Sequence, residues 1–243
     1  MSENELLFSL FFVSCRSKNK VEQPMIKDFD LLQRANNDYT TIDLEHAEEL
    51  AYRELIDSIR YIPLGDECGV MGNIANIITY KGRFYIQEEQ FDRVFIYDDT
   101  GRCLKKIDNK GRGPGEYLRI ESIDINTEKE ELMLVDGMSD KLFFYDLDGN
   151  FKSIHSIRYF QTENTLCLRD SVFLHISAPS QNFGNEGLYG YALVLSKGNE
   201  NFLKGYRYLP LQVGYKGGGQ IFKGYERSCY HPIYSDTIYQ ILS

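Results

Sequence analysis

A repeat with a period of 48 residues limits the folds open to this chain more than any other feature of its sequence. Residues 82–107 align with residues 130–155 without a gap. Each copy reads as a strand followed by the pattern D-[RK]-x-F-x-Y-D-x-x-G, in which the second aspartate and the glycine suit a hairpin turn. The matched pairs are Ile77 and Ile125, Asp92 and Asp140, Arg93 and Lys141, Phe95 and Phe143, Tyr97 and Tyr145, Asp98 and Asp146, and Gly101 and Gly149.

Short strands bounded by turn residues fill both copies, from "NIITYKG" to "FKSIHSI". Aromatic residues make up 14% of the chain and are mostly Tyr and Phe, which favours strands over helices. A unit of this length with four short strands is typical of a β-propeller blade, whereas a β-solenoid has a shorter period and a β-sandwich does not repeat its sequence. The sequence therefore predicts an all-β β-propeller of four-stranded antiparallel blades.

Looser copies of the unit follow the first two. Residues 169–177 predict the inner strand of a third blade, and residues 191–206 predict its hairpin, with Gly198 at the turn. An insertion at residues 178–190 lengthens the loop between them. Residues 235–243 ("SDTIYQILS") predict the first strand of a fourth blade. We therefore expect about 3.5 to 4 blades, at one blade for each repeat.

The segment before the repeats has a different composition. We expect a tether and an irregular lead-in over residues 16–41, and a propeller domain over residues 42–243. Within that domain, residues 44–59 have helical composition, and residues 60–65 ("RYIPLG") predict a strand that ends at a proline and a glycine.

The first 15 residues resemble a bacterial lipoprotein signal. An apolar run at residues 6–13 is followed by a small residue and then by Cys15, the cysteine that would carry the lipid. A signal peptide normally begins with a positive region, but Glu3 and Glu5 occupy this one. The alternative is a cytosolic chain that begins with a buried strand or a disordered end. The apolar run is too short to span a bilayer, so membrane contact is expected only through the lipid anchor.

The net charge of −9 argues against a nucleic-acid partner, because binding phosphates requires a basic surface. Four cysteines other than Cys15 are far apart and form no CxxC pair. They allow three ways of forming two disulfides; buried thiols are the expected state, and a disulfide is the alternative in an exported protein. These four are Cys68, Cys103, Cys167 and Cys229.

The stretch "KGRGPGEY", here called the connector loop (residues 110–117), concentrates glycine and proline. It is not a phosphate-binding loop, because a strand pattern follows it instead of a helix, and Glu116 would repel phosphate. Its glycines and proline suit a tight turn between the outer strand of one blade and the inner strand of the next. The alternative is a ligand site in the central channel, for which Arg112, Glu116 and Tyr117 are the candidate binding residues.

No metal or catalytic site is evident from residue spacing. The histidines show no H-x-x-H pair, although ligands could converge from separate blades. We therefore predict no catalytic residue, no metal and no cofactor, with a divalent ion in the channel left open.

Tyrosines that could form a surface for sugar rings cluster in the third unit; blade packing is the alternative role. They are Tyr189, Tyr191, Tyr206, Tyr208 and Tyr215.

The motifs "GRGPGEY", "ELMLVD" and "KLFFYDLDGN" resemble the NHL repeat. Residues 42–243 as a whole resemble the six-bladed β-propeller lipoproteins of Bacteroidetes. This resemblance implies a propeller fold and says little about activity. Six blades of this period need about 290 residues. The sequence therefore predicts a fragment, a truncated product, or a ring completed by a partner.

Two functions remain open from the sequence. The first is a non-catalytic propeller, lipid-anchored in the cell envelope, that binds a glycan, a peptide or another envelope protein. The second is a metal-dependent hydrolase or lyase with its site in the axial channel of the propeller.

Overall fold

We analysed a computed structural model of the chain. It describes residues 27–28, 56–157, 161–169, 171–177, 182, 188–198, 201–207, 219–223, 228–232 and 238–241. Every regular element in these ranges is a β-strand. No helix long and apolar enough to cross a bilayer occurs in these ranges.

Four sheets follow one another along the chain after a two-residue strand, β1 (Lys27–Asp28). The first sheet contains β2 (Ile74–Tyr80), β3 (Arg83–Glu88), β4 (Arg93–Asp98) and β5 (Cys103–Ile107). The second contains β6 (Ser122–Asn126), β7 (Glu131–Asp136), β8 (Lys141–Asp146) and β9 (Phe151–Ser156). The third contains β10 (Asn164–Arg169), β11 (Val172–Ile176), β12 (Tyr191–Lys197) and β13 (Asn201–Arg207), with β1 added parallel to β13. The fourth contains β14 (Gln220–Lys223), β15 (Ser228–His231) and β16 (Tyr239–Ile241).

Apart from β1, the strands of each sheet form an antiparallel meander in sequence order, so each sheet is one propeller blade, numbered 1 to 4 here. The strands β2, β3, β4 and β5 begin 48 residues before β6, β7, β8 and β9 respectively. The first strands of blades 1, 2 and 3 pack side by side, which makes them the inner strands. The predicted all-β propeller fold and its repeat are confirmed.

The core lies between the blades. Tyr85, Val94 and Ile96 of blade 1 pack against a set of blade 2 side chains. Blade 2 uses its other face, including Met133 and Phe144, to pack on blade 3. The blade 2 side chains that face blade 1 are Ile123, Ile125, Leu132, Leu134, Phe143 and Tyr145.

The hairpin between the third and fourth strands is the same in blades 1 and 2. Gly101 and Gly149 lie in the left-handed region, with φ of 89° and 80°, and each donates its amide to the carbonyl of the aspartate three residues earlier, Asp98 or Asp146. The hydroxyl of Thr100 donates to Asp98 at 2.6 Å, and this bond together with backbone amides lowers the pKa of Asp98 to about 2. Aspartate and glycine at these positions therefore set the register of both hairpins.

The predicted strand at residues 60–65 is wrong, because this segment has no ladder partner. It runs over the free face of blade 1 and is held by isolated bonds. The amide of Gly65 donates to the Gly101 carbonyl at 2.8 Å, and the hydroxyl of Tyr97 donates to the Gly65 carbonyl at 3.2 Å.

A disulfide joins Cys68 to Cys103 in the same region, so the expectation of free thiols is wrong for this pair. Cys167 and Cys229 are not part of a disulfide. Residues 65–71, here called the cap segment, contain Cys68 and cover the apolar side chains of blade 1 that face away from blade 2.

Two further strand predictions need correction. The inner strand of blade 3 is β10, whereas residues 169–177 contain its second strand, β11, because β10 supplies the surface that packs on β6. The stretch at residues 235–243 supplies the third strand of blade 4, β16, and not its first. Cys15, the tether and most of the predicted helix at residues 44–59 lie outside the described residues; residues 56–59 are not helical.

Candidate functional site

The turns after the second strands and the segments that lead into the inner strands lie at the same end of the blades. One backbone hydrogen bond joins them in each of blades 1, 2 and 3, with the donor on the turn in blade 1 and on the lead-in segment in blades 2 and 3. Glu89 donates its amide to the Asn73 carbonyl at 3.0 Å, Glu121 donates to Val135 at 2.9 Å, and Glu163 donates to the carbonyl at the end of β11 at 2.8 Å. This end, here called the connector end, also contains the connector loop.

Tyr117 is fully buried, with 0% of its surface exposed. Its ring packs edge-on against Phe143 at a centroid distance of 5.9 Å. Its hydroxyl donates to the Asp92 carbonyl at 2.8 Å and accepts the amide of Asn109 at 3.1 Å. Burial raises the pKa of this hydroxyl. Tyr117 therefore locks the connector loop into the core between blades 1 and 2, and its side chain does not face solvent.

Glu116 and Arg112 lie on the exposed side of the same loop. The Glu116 carboxylate folds back and accepts the Gly113 amide at 2.7 Å, while the Glu116 amide donates to the Gly113 carbonyl at 3.1 Å. A Cβ at Gly111 would come within 1.9 Å of the Glu116 carboxylate, so a larger residue there would displace this side chain from its bond to Gly113. Ligand binding by Arg112 and Glu116 stays a prediction.

Asp92 ties the connector loop to the preceding blade. Its carboxylate accepts the Ile120 amide at 3.1 Å and pairs with the ammonium group of Lys110. Its φ is 56°, a conformation that aspartate tolerates better than most residues, and Asp140 at the same repeat position has a φ of 52°. The conserved spacing of the two aspartates thus reflects a turn geometry that both blades need.

Two buried carboxylates hold the turns at the connector end. Glu88 and Asp136 occupy the same repeat position and are 0% and 1% exposed. Glu88 accepts the Gln90 amide at 2.9 Å. Asp136 accepts the amides of Met138 at 3.0 Å and Leu118 at 2.7 Å. These hydrogen bonds compensate for burial of the two carboxyl groups. Glu88 and Asp136 therefore stabilise the backbone of the turns.

A polar cleft of about 470 Å³ opens at the connector end, between blades 1 and 2. The amide group of Gln87 donates to the carbonyls of Ile120 at 3.0 Å and Glu121 at 3.3 Å, which fixes one wall. Amides, carboxylates and a guanidinium meet here, so the cleft offers both donors and acceptors. Its polar side chains include Asn73, Gln87, Glu89, Gln90, Arg119 and Glu121.

Glu121 and Arg119 form an ion pair at 3.2 Å on the rim of this cleft. Burial raises the pKa of Glu121, and the guanidinium of Arg119 partly opposes that rise. Nearby carboxylates, Asp92 among them, add to the rise. The cleft is therefore a place where a bound hydroxyl or amide can replace water around a half-buried carboxylate.

A second groove, of about 500 Å³, adjoins the first, and Gln90 lines both. The exposed ring of Phe91 lies in this groove, with the guanidinium of Arg93 over it at 4.4 Å from the centroid. Arg93 also pairs with Asp108 at 3.3 Å, which holds the guanidinium in place. The two grooves thus combine hydrogen-bonding groups with an aromatic surface.

The three histidines in the described part of the chain do not form a metal site. Within the described ranges, no group of three or more His, Cys, Asp or Glu side chains could hold a metal ion. His155 lies on the outer strand β9, His175 is buried in blade 3, and His231 ends β15. Tyr191 is buried in the core between blades 2 and 3.

Sequence analysis did not find the polar cleft. Gln87, Gln90 and Arg119 belong to no motif, and they meet only because the turn of blade 1 and the connector of blade 2 share one end. The feature of the sequence that could have located the cleft was its 48-residue period. Equivalent turns of a repeat lie at the same end of every blade, so polar residues at Gln87 and Glu121 could have been placed there.

These sheets and their shared cores define the class: the protein is a β-propeller. The chain belongs to the family described as a domain of unknown function, DUF4934, whose profile matches residues 39–243. No curated protein sequence matches the chain.

Several solved structures are similar to this chain. A Bacteroides fragilis protein that is described as exported matches with a TM-score of 0.66 and 19% identity, over 76% of this chain and 52% of that one. The chain therefore spans about half the length of that protein. A DUF4221 protein of Bacteroides vulgatus matches with a TM-score of 0.45 and 11% identity, over 70% and 54% of the two chains. The WD40 repeats of RRP9 match with a TM-score of 0.42 and 9% identity, over 65% and 44%.

Proposed function

We propose that this chain is a non-catalytic binding propeller of the cell envelope, and that it binds a neutral glycan in the polar cleft. The observation that carries this proposal is the convergence of seven polar residues on one cleft, with an exposed aromatic ring in the adjoining groove. The residues that distinguish the site are Gln87, Gln90, Arg119 and Glu121, with Phe91 beside them.

The chemistry of the cleft suits a sugar better than an anion. Sugar hydroxyl groups both donate and accept, so they match a mixture of amide, carboxylate and guanidinium groups. The carboxylates of Glu89 and Glu121 disfavour a phosphate or a carboxylate ligand. The Phe91 ring supplies an apolar surface for the carbon face of a sugar ring.

Three further points support placement in the envelope. The similar Bacteroides fragilis protein is described as exported, and residues 1–15 resemble a lipoprotein signal with Cys15 as the lipidated residue. The Cys68–Cys103 disulfide is also more stable in an oxidising compartment than in the cytosol. We also propose that the chain is one of the six-bladed, NHL-repeat-like lipoproteins that residues 42–243 resemble.

The test is isothermal titration calorimetry of the purified chain against a panel of neutral oligosaccharides and a panel of short peptides. We expect binding to at least one oligosaccharide, with Gln90→Ala and Arg119→Gln each weakening it by about tenfold. Arg102→Gln is the matched control, because Arg102 also forms an exposed ion pair, at 3.1 Å with Asp98, in the hairpin on the other side of the blade.

Three outcomes would contradict the proposal. One is binding only to peptides, and another is glycan affinity that Gln90→Ala and Arg119→Gln leave unchanged. The third is cleavage of a panel member that depends on an added divalent ion, which would favour the hydrolase or lyase alternative.

A further inference from the structure

A third groove lies between blades 1 and 2, beside the outer strand of blade 1. Its volume is about 260 Å³. Strand β5 of blade 1 forms one wall, and the β8–β9 hairpin of blade 2 forms the other. The groove shares no lining residue with the polar cleft, and only Lys106 with the groove that contains Phe91. Its side chains include Lys105, Lys106, Asn109, Tyr145, Asn150 and Phe151.

This groove has an excess of positive charge. Two ammonium groups line it, and no carboxylate does. Lys106 pairs with Asp108 at 3.4 Å, but Asp108 also pairs with Arg93 at 3.3 Å, so one carboxylate serves two cations. Lys105 is exposed and forms no ion pair with any residue that the structure describes. In a chain with a net charge of −9, the groove is therefore a local site at which an acidic group is attracted.

A buried hydroxyl in this groove lacks a hydrogen-bond partner. Tyr145 is 1% exposed, and its hydroxyl bonds to no atom of the described residues. Burial raises the pKa of Tyr145 to about 12, and the nearby amide group of Asn109 only partly opposes the rise, so the hydroxyl keeps its proton. Tyr97, at the same repeat position in blade 1, donates its hydroxyl to the Gly65 carbonyl at 3.2 Å. Blade 2 therefore contains a buried donor without the acceptor that blade 1 provides, which is unfavourable until an acceptor reaches it.

The equivalent hairpin of blade 1 already binds an acidic side chain. The amide of Cys103, the first residue of β5, donates to the Glu67 carboxylate at 3.3 Å. Gly65 and Glu67 both belong to the cap segment, so one short acidic stretch of chain supplies a carbonyl and a carboxylate to this hairpin. In blade 2 the counterpart of Cys103 is Phe151, whose exposed ring packs edge-on against Tyr145 at a centroid distance of 5.8 Å.

The size of the groove suits one acidic residue with its neighbouring backbone. Pockets for whole small molecules usually measure about 300–1,000 Å³, and this groove is smaller. The Lys105 side chain lies against Gly149, where the backbone of Pro63 lies against Gly101 in blade 1. Because a lysine side chain is flexible, an entering carboxylate can move it aside and pair with its ammonium group.

We propose that this groove binds an acidic peptide segment of a partner protein, through an aspartate or glutamate side chain that pairs with Lys105. A backbone carbonyl of the peptide is the missing acceptor for Tyr145, and an apolar neighbour packs on the Phe151 ring. A peptide is favoured over an acidic sugar because the matching hairpin of blade 1 takes up Glu67 together with a backbone carbonyl. The site is independent of the glycan proposal, because none of its three binding residues lines the polar cleft.

The test is fluorescence anisotropy of the purified chain with a labelled peptide of the sequence IPLGDE, which is that of residues 62–67. A second peptide has asparagine and glutamine in place of the two acids, and a uronic-acid disaccharide is titrated in parallel. We expect the chain to bind the acidic peptide and not the neutral one, with a dissociation constant that rises by about fivefold in Lys105→Gln.

Two control variants locate the effect. Lys81→Gln removes the same charge from another exposed lysine, which pairs with Glu130 and does not line the groove. Gln90→Ala changes the polar cleft alone among the two proposed sites. Both should leave peptide binding unchanged, so a failure of this proposal is distinguishable from a failure of the glycan proposal.

The variant Tyr145→Phe gives a second readout, because it removes a hydroxyl that has no partner in the unbound chain. It should weaken peptide binding without lowering the midpoint of urea unfolding. Tyr97→Phe should lower that midpoint, because it loses the bond to Gly65.

Several results would overturn the proposal. Two of them are a chain that binds neither peptide and a chain that binds both peptides equally. A peptide affinity that either Lys105→Gln or Tyr145→Phe leaves unchanged would also contradict it, as would a Tyr145→Phe variant that is destabilised as much as Tyr97→Phe. Binding of the disaccharide in place of the acidic peptide would assign the groove to acidic sugars instead.

Discussion

At the scale of single residues, the buried polar groups serve packing more than chemistry. His175 is 1% exposed, and both of its ring nitrogens are hydrogen-bonded, Nδ1 to Thr165 Oγ1 at 2.9 Å and Nε2 to Ser196 Oγ at 2.8 Å. This row of Ser196, His175 and Thr165 resembles the hydrogen-bonded relay of a catalytic serine. Here Thr165 and Ser196 are themselves buried, so no substrate can reach the serine.

Burial lowers the pKa of His175 to about 3. In the unfolded chain its pKa is about 6.5, so below that pH the unfolded state takes up a proton that the folded state refuses. The contribution of neutral His175 to stability is therefore complete above about pH 6.5 and decreases, by about 1.4 kcal/mol per pH unit, toward the folded pKa.

We predict that this pH dependence disappears in His175→Gln, which cannot titrate. The measurement is urea unfolding of both proteins at about pH 7.5 and at about pH 5.5. The difference in free energy of unfolding between wild type and variant should be smaller at the lower pH. Other groups with shifted pKa values, such as Glu121 and Asp140, are common to both proteins and cancel in the difference. An equal difference at both values would contradict the assignment.

At the scale of elements, the cap segment packs on the face of blade 1 that is turned away from blade 2. It has no ladder bonds, and its hold on blade 1 depends on the Cys68–Cys103 disulfide and a few isolated hydrogen bonds, such as that from the Cys103 amide to Glu67 at 3.3 Å. The two cysteines are 35 residues apart, so the crosslink restricts a long loop of the unfolded chain.

We predict that Cys68→Ala with Cys103→Ala lowers the free energy of unfolding by about 2–4 kcal/mol. Reduction of the wild type should have the same effect, and reductant should leave the double variant unchanged. Limited proteolysis should then cut within residues 65–71 of the reduced protein, since loss of the crosslink frees this segment from blade 1. Cys167→Ala tests whether the effect belongs to the disulfide, because Cys167 forms none. A reductant effect on the double variant would refute the prediction.

The sequence predicted strands better than it predicted what joins them. The period, the hairpins at Gly101 and Gly149 and the position of the connector loop all follow from local residue patterns, and the structure agrees with them. Residues 60–65 have the composition of a strand but lie where no partner strand is available. Local residue patterns could not predict the polar cleft, because Gln87 and Arg119 meet only through packing between blades.

At the scale of the whole molecule, stability is shared between neighbouring blades. Phe143 of blade 2 is 0% exposed, and it lies in one core with Val94 and Ile96 of blade 1. A change in this core therefore acts on two sheets at once, whereas a change on an outer strand acts on one.

We predict that Phe143→Ala lowers the free energy of unfolding by about 3–5 kcal/mol and speeds amide exchange in both β4 and β8. Hydrogen-exchange mass spectrometry of the purified chain measures this directly. Phe151→Ala is the control, because Phe151 is 46% exposed on the outer strand β9. Faster exchange confined to β8 would mean that the blades open independently.

The match of blades 1 and 2 at one fixed spacing also has a genetic consequence. Because β2 to β5 and β6 to β9 begin at equivalent positions, recombination between the two copies in the gene would keep the reading frame and join one complete unit to another. The product would have one blade more or one blade fewer, with the same hairpins and the same junctions. Members of this family should therefore differ in length by whole repeats, because a partial repeat would leave a strand without a partner.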